Sequence, residues 1–188
     1  MRPSYGTLSG FKGNTFTLDN VMPANLSDEL QENKKNVVVT SDGGNLKVSP
    51  AGKGASDVGM WVNYAPTKAT FGLAEGGQTW AASGPFSGCQ IVIGNKGGRV
   101  CVTHISLESG SDGPEAWRGR GWNDFDIWAS WKVSMPEGFS GINGGASHVF
   151  IDWSAGQTPS AIKIARIDVS CTAMGGSNGE IFKITDMA

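Results

Sequence analysis

The 188-residue chain has little of what metal sites, disulfide frameworks and nucleic-acid interfaces require. It contains only two histidines and three cysteines, and no Cys-x-x-Cys or His-x-x-x-His spacing occurs. We therefore expect neither a zinc site nor a disulfide framework. The net charge is −2, and Lys34-Lys35 is the only adjacent pair of basic residues. We expect no nucleic-acid ligand, because binding phosphates requires several converging cations.

Long apolar segments are also missing. No run approaches the roughly 20 residues of a transmembrane helix, so we expect no membrane span. The segment Met1–Gly6 lacks the apolar core of a secretory signal. We therefore expect a protein that stays in the cytoplasm or leaves its cell without a cleaved N-terminal signal.

Glycine, in contrast, is abundant, with 28 residues. It separates short apolar runs, and long helical periodicity is absent, which together favour a β-rich α+β fold. We expect a β-sandwich or mixed sheets with few short helices. The length predicts a single domain over residues 1–188, with residues 1–25 as a loosely attached arm.

The strand pattern recurs along most of the chain. Alternating or β-branched runs predict ten strands, at 15–18, 36–40, 46–48, 60–64, 90–94, 100–105, 126–133, 149–153, 161–169 and 180–185. Ser27–Asn33 is predicted to be either a short helix, with Ser27 as its N-cap, or a turn. Four tryptophans lie in predicted strands and are expected in the core: Trp61, Trp128, Trp131 and Trp153. Three lie in predicted loops, where they either cap a sheet or line a cleft: Trp80, Trp117 and Trp122.

A cysteine and a histidine stand at the two ends of one predicted hairpin. Cys89 follows the segment Ser83–Gly88, which is predicted to be a turn, and His104 lies fifteen positions beyond the cysteine. The strands 90–94 and 100–105, joined by a glycine turn, bring both residues to the same end of the hairpin. A histidine within hydrogen-bond reach raises the thiolate fraction of a cysteine and later protonates a leaving nitrogen. The pair therefore predicts a thiol nucleophile and its base.

Strand alternation distinguishes this cysteine from its neighbour. His104 shares a strand face with Val100 and Val102, whereas Cys101 lies on the opposite face and is predicted to be a core residue. His148 precedes another predicted strand and remains an alternative base. The favoured pair is therefore Cys89 and His104.

The turn before the cysteine also suits acyl transfer. Gly88 allows a backbone to approach a substrate closely. The Cys89 amide, with a second amide from the turn or a neighbouring loop, is expected to form an oxyanion hole. Ser87 is either a further donor to that hole or an exposed turn residue.

The hairpin as a whole reads Phe86-Ser87-Gly88-Cys89, then the apolar run 90–94, a glycine turn and Val102-Thr103-His104-Ile105. Over residues 83–106 this pattern resembles the active-site hairpin of the bacterial glutamine-deamidase toxins. That family includes the cytotoxic necrotizing factor catalytic domain and Burkholderia lethal factor, and it shares a fold with the chemoreceptor glutamine deamidase of bacterial chemotaxis. Its members carry a Leu-Ser-Gly-Cys motif, an apolar strand, a short turn and a histidine at the end of the return strand.

The resemblance implies that Cys89 is the nucleophile and His104 the base of a hydrolase that deamidates glutamine side chains of a protein. In two of these relatives a threonine six positions before the cysteine helps to hold the histidine, and Ser83 occupies that position here. In the necrotizing factor a backbone carbonyl is the third element. The resemblance further implies a bacterial toxin or effector that acts in the cytosol of a target cell. We expect a monomer that requires no metal and no organic cofactor.

Two other classes of function remain open. Another thiol hydrolase, such as a peptidase or a small-molecule amidase, needs the same pair of residues. A non-catalytic β-sandwich module that binds carbohydrate or protein would instead use loop tryptophans as stacking platforms. Within the deamidase hypothesis, the sequence does not separate deamidation from transglutamination, in which an amine takes the place of water.

Overall fold

The computed structural model describes residues 1–19, 21, 30–106, 122–139, 144–171 and 178–187. Strands dominate this part of the chain, which contains one short α-helix, Tyr5–Leu8, and two 3₁₀ turns, Ser9–Phe11 and Pro159–Ala161. The predicted β-rich fold with mixed sheets and few short helices is confirmed. None of the helices described is both long enough and apolar enough to cross a membrane.

Eight strands close into a barrel. In hydrogen-bonded order they are β1 (Thr15–Leu18), β13 (Gly179–Asp186), β12 (Lys163–Cys171), β11 (Gly145–Asp152), β7 (Trp80–Phe86), β5 (Gly59–Asn63), β3 (Lys34–Asp42) and β4 (Asn45–Pro50). The barrel closes where β1 runs parallel to β4, with Phe16 opposite Leu46. Leu8 and Phe16 are fully buried, so the N-terminal segment contributes to the barrel core.

The other five strands form a second sheet against the barrel wall. Its order is β10 (Phe125–Lys132), β8 (Gln90–Lys96), β9 (Arg99–Ile105), β6 (Ala69–Leu73) and β2 (Leu30–Glu32). β8 and β9 are a hairpin whose turn residues, Gly97 and Gly98, have φ of 58° and 80°. Positive φ at both central positions matches the twist of a two-residue hairpin turn, and glycine adopts it without steric cost.

Buried side chains fall into three groups. The barrel core includes Trp61, Trp80 and Phe150. The inter-sheet layer, between the barrel wall and the five-stranded sheet, includes Val62 and Ala81 from the wall and Ile93 and Val102 from the sheet. The outer layer lies on the far face of the five-stranded sheet and includes Val92, Cys101 and Phe125. The five-stranded sheet is therefore buried on both faces over its central strands.

Each of the ten predicted strands overlaps a strand of the structure, but the helix prediction is wrong where it can be checked. Leu30–Glu32 is the strand β2 and pairs in parallel with Ala69–Phe71 of β6. Strand pairing here overrides a weak local helix preference. Residues 27–29 lie outside the described part.

Besides β2, two further strands, β6 and β7, are absent from the ten predicted ones. The segment Ser83–Phe86 belongs to β7 rather than to a turn, and it pairs with β5 and β11 on either side. In β6, Gly72 sits where an added Cβ would meet the Met60 sulfur at 3.0 Å and Val62 at 3.1 Å. The two sheets pack closely at this position and require a small residue. Gly72 therefore indicates a contact between the sheets rather than the end of a strand.

The tryptophans depart from the sequence prediction in both directions, with Trp80 more buried and Trp128 and Trp131 less buried than expected. Trp61 and Trp153 are in the core as predicted, and Trp128 and Trp131 are half-buried against the inter-sheet layer. Trp80, predicted to lie in a loop, instead begins β7 and is buried in the barrel core. Trp122 is buried in the outer layer, and Trp117 lies outside the described part.

Candidate active site

The turn that carries Cys89 is fixed by the segment that follows β10. β7 ends at Phe86, and Gly88 has φ of 133°, which glycine adopts readily. The Gly88 N–H donates to the Val133 carbonyl at 2.9 Å, and the Val133 N–H donates to the Cys89 carbonyl at 2.9 Å. The chain therefore passes from the barrel wall to the five-stranded sheet in one short, hydrogen-bonded turn.

The histidine lies on β9, a central strand of the five-stranded sheet. It pairs with Ile91 on β8 and with Thr70 on β6. Cys89 precedes Ile91 by two positions, so alternation directs its side chain to the face that carries His104. Cys89 belongs to the inter-sheet layer and is 6% exposed. The structure thus brings the predicted thiol and imidazole to one face at one end of the hairpin.

Ser83 joins the barrel wall to this histidine. Its Oγ is 2.6 Å from the Val62 carbonyl oxygen and 2.8 Å from His104 Nδ1, and its side chain is fully buried. A hydroxyl has one hydrogen, and the Val62 carbonyl can only accept. Ser83 therefore donates to Val62 and accepts from a protonated Nδ1.

This hydrogen-bond order assigns the tautomer of the imidazole. With its proton on Nδ1, His104 carries an unprotonated Nε2, the form that can take a proton. Nε2 is buried and makes no hydrogen bond within the described ranges. The serine thus holds the imidazole in the form that a general base requires.

Two aromatic rings flank the imidazole. The Phe86 ring stacks on it with 4.1 Å between centroids and an angle of 10° between planes. The Tyr64 ring is 5.3 Å away and tilted by 49°. The Tyr64 hydroxyl bonds with the side chain of Ser106, which also accepts the Thr67 N–H at 3.2 Å.

Burial governs the protonation of these groups. His104 is completely enclosed, and burial lowers its pKa to about 3, so the imidazole is neutral at physiological pH. Burial raises the pKa of Tyr64; a negative charge on Cys89 acts in the same direction, and the hydrogen bond from Ser106 opposes both. The site therefore holds a neutral imidazole and a protonated phenol.

The predicted oxyanion donors differ in availability. The Gly88 N–H is already committed to Val133. The Cys89 N–H makes no hydrogen bond to a backbone carbonyl of the described residues, so it remains a candidate donor to an oxyanion. Ser87 is exposed at the surface of the turn.

The remaining cysteines and the second histidine lie elsewhere. Cys101 is fully buried in the outer layer, on the face opposite His104, as alternation predicts. Cys171 is half-buried at the end of β12. The His148 ring lies among barrel-core rings, 4.6 Å from Phe16 and 5.9 Å from Trp61. The barrel wall separates it from Cys89, so it does not serve as the alternative base.

Sequence reasoning missed the contributions of Tyr64, Val62 and Val133. Alternation along β5 offered one signal, because Tyr64 follows Met60 and Val62 at two-residue spacing and so shares their face. No local signal links Val133 to the turn at Gly88.

Within the described ranges, no group of three or more His, Cys, Asp and Glu side chains is arranged to hold a metal ion. The chain matches no known family and no curated protein.

Proposed function

We propose that this protein is a cysteine-dependent amidohydrolase that converts glutamine side chains of a protein substrate to glutamate. The observation that carries the proposal is the 2.8 Å contact between Ser83 Oγ and His104 Nδ1, made across the two sheets. It leaves Nε2 unprotonated on the face shared with Cys89. An oriented imidazole beside a thiol is the arrangement that nucleophilic acyl transfer requires.

In the first half of the reaction, Nε2 of His104 takes the Cys89 thiol proton as the sulfur attacks the side-chain amide carbon of glutamine. The carbonyl oxygen becomes an oxyanion, and the Cys89 N–H donates a hydrogen bond to it. His104, now an imidazolium, gives its proton to the amide nitrogen. The C–N bond breaks, ammonia leaves and a thioester remains.

The second half returns the enzyme to its starting state. His104 takes a proton from water as the water oxygen attacks the thioester carbon. The C–S bond breaks, and the imidazolium returns the proton to the Cys89 sulfur. The product is glutamate, and the two halves together consume one water and release one ammonia.

The depth of the thiol supports a side-chain amide as the substrate. Cys89 is only 6% exposed, whereas Ser87, two positions before it, is exposed. A glutamine side chain is narrow and ends in a primary amide, so it can reach a recessed sulfur. A peptide bond within a folded chain is flanked by bulk on both sides. This difference, and the resemblance of residues 83–106 to the glutamine-deamidase toxins, favours deamidation over peptide cleavage.

The burial of the tryptophans weighs against a carbohydrate-binding module. All six described tryptophans are buried or half-buried, so none of them offers an exposed stacking platform. The one large hydrophobic residue that is exposed in this part of the chain is Tyr5, which is 41% exposed.

The resemblance also supports a role as a bacterial effector in the cytosol of a target cell. Cys89, Cys101 and Cys171 form no disulfide bond with one another. A reducing cytosol would keep them in that state.

The experiment incubates the purified protein with a panel of host and bacterial proteins and measures ammonia release and conversion of glutamine to glutamate by peptide mass spectrometry. Cys89→Ser is the inactive variant, and Cys101→Ser is the matched control. Activity in Cys89→Ser would overturn the assignment. Cleaved peptide bonds would identify a peptidase, and incorporation of an added amine would identify transglutamination.

A further inference from the structure

The closest ring contact of His104 is with Phe86. The two planes are within 10° of parallel, the centroids are 4.1 Å apart, and each residue is 1% exposed. One face of the imidazole is thus covered by a benzene ring, and both side chains are almost completely buried.

An irregularity in β7 makes this contact possible. Ser83 and Phe86 are three positions apart, so a regular strand would direct them to opposite faces. The pairing of β7 with β11 shifts register between Ser147 and Val149, with Ser147 opposite Phe86 and Val149 opposite Ser83. The shift takes one residue out of alternation. Both side chains therefore reach His104, one at its Nδ1 edge and one at its face.

The proposed mechanism requires this buried imidazole to become a cation. Burial opposes that step, as the low pKa of His104 reflects. The titratable groups that face the ring are Tyr64, which follows β5, and Cys89, which precedes β8. Ser83 on β7 and Thr70 on β6 are neutral. In the described part, no carboxylate hydrogen-bonds to the imidazole or forms an ion pair with it.

We propose that Phe86 is a positioning residue whose π face stabilises the His104 imidazolium formed when Cys89 gives up its proton. An aromatic face attracts a cation whose centre lies within about 6 Å of the ring, and the attraction strengthens where water is excluded. The stack also fixes the plane of the imidazole, while Ser83 fixes its rotation within that plane. The inference rests on the proposed function, because it concerns an intermediate of that reaction.

The alternative is that Phe86 only fills space. Phe86→Leu separates the two, because leucine is apolar and bulky but has no π face. Phe150→Leu is the matched control: Phe150 is also 1% exposed, but it lies in the barrel core and packs edge-on against Phe16. Phe86→Met serves in place of Phe86→Leu if the leucine variant does not fold.

The measurement is the rate at which iodoacetamide alkylates Cys89, followed by peptide mass spectrometry as a function of pH. Phe86→Leu should slow alkylation at neutral pH by about 2-fold to 30-fold. It should also shift to higher pH the range over which the alkylation rate increases. Phe150→Leu should be less stable than wild type but alkylate at the wild-type rate. In a His104→Gln background the Phe86 substitution should have no effect, because no imidazolium forms.

A folded Phe86 variant that alkylates at the wild-type rate would overturn the proposal, as would an equal effect in the His104→Gln background. Failure of the proposed function looks different. In that case Cys89 of the wild type is alkylated in a His104-dependent way, yet no protein loses ammonia. The double-variant comparison still decides the role of Phe86. An unreactive Cys89 in the wild type would overturn both proposals.

Discussion

The hairpin formed by β8 and β9 presents a buried cysteine on each of its two faces, and the two sites differ in what surrounds the sulfur. Cys89, at the entry of the hairpin, faces the inter-sheet layer with His104. Cys101 faces the outer layer, where the nearest polar partner of its sulfur is Thr103 Oγ1 at 3.8 Å. Burial raises the pKa of Cys101 to about 12.

Burial alone therefore does not make a nucleophile. On the outer face a thiol without a base remains protonated and serves as a small hydrophobic residue. On the inner face the barrel wall contributes Ser83, which orients the imidazole, and Phe86, which covers it. The difference between the faces comes from the barrel wall, which packs against only one of them, since both cysteines belong to the same short segment of chain.

The strongest test of the difference between the two cysteines is to replace each of them with serine in turn. Cys89→Ser should lower the rate of ammonia release by about a thousandfold or more, because it removes the nucleophile. Cys101→Ser should leave the rate of the folded protein close to that of wild type. Similar losses in both variants would show that the two faces are not functionally distinct.

Exchanging the histidines should produce the next largest effect. His104→Gln should slow the reaction by about 10²- to 10⁴-fold, the usual contribution of a general base. His148→Gln alters the barrel core and should lower the melting temperature without slowing the folded enzyme. A catalytic loss in His148→Gln that exceeds its loss of stability would contradict the placement of the base.

Removing the hydrogen bond between Ser83 and His104, which links the two sheets, should reduce the reaction rate less than removing either predicted catalytic residue. Ser83→Ala should lower kcat by about 10- to 100-fold, because the imidazole loses the hydrogen bond that fixes its orientation and tautomer. It should also reduce the free energy of unfolding by about 1–3 kcal/mol, since buried polar groups lose a partner. Ser83→Thr retains the hydroxyl and should restore most of kcat.

Ser147→Ala is the control for this variant. Ser147 is also fully buried, and it donates to Asp168 Oδ1 at 2.7 Å on β12. Its loss should affect stability but not kcat. If Ser83→Ala and Ser147→Ala have the same profile, Ser83 has only a structural role.

The last prediction concerns the dependence of stability on pH rather than the rate of the reaction. The pKa of His104 is about 3 in the folded protein and near 6.5 in the unfolded chain, so between these values only the unfolded chain binds the proton. The free energy of unfolding should therefore fall as pH falls through this window, by up to about 1.4 kcal/mol per pH unit from this residue. Urea unfolding of wild type and His104→Gln should give curves that diverge with acid. Parallel curves would mean that His104 is not buried in neutral form.

How far the sequence predicts this molecule depends on how local each feature is. The β8–β9 hairpin and its two faces follow from Gly97-Gly98 and from the alternation of Val100 to Ile105, because neighbouring residues determine both. β6 and β7 are not predicted from the sequence because Gly72 and Gly84-Pro85 are typical of loops. Only pairing with other strands keeps these two segments extended.

The candidate site likewise combines residues that are close in the sequence with residues that only the packing of the two sheets brings together. Cys89 and His104 belong to one hairpin, so their spacing in the sequence predicts that both lie at the same end of it. Ser83 is a candidate only through the resemblance to the glutamine-deamidase toxins. Its contact with His104 depends on how the barrel wall packs on the second sheet, which the local sequence does not indicate. Tyr64 and Val133 come from elements far away in the chain.

The most direct test of the central claim is to alkylate both cysteines in the same molecule. Iodoacetamide is added to the native wild type and to His104→Gln at neutral pH, and the modification of Cys89 and Cys101 is followed separately by peptide mass spectrometry. We predict that Cys89 reacts in the wild type, that His104→Gln slows this reaction sharply, and that Cys101 stays unmodified in both proteins. Equal labelling of the two thiols, or labelling of Cys89 that is independent of His104, would contradict the account.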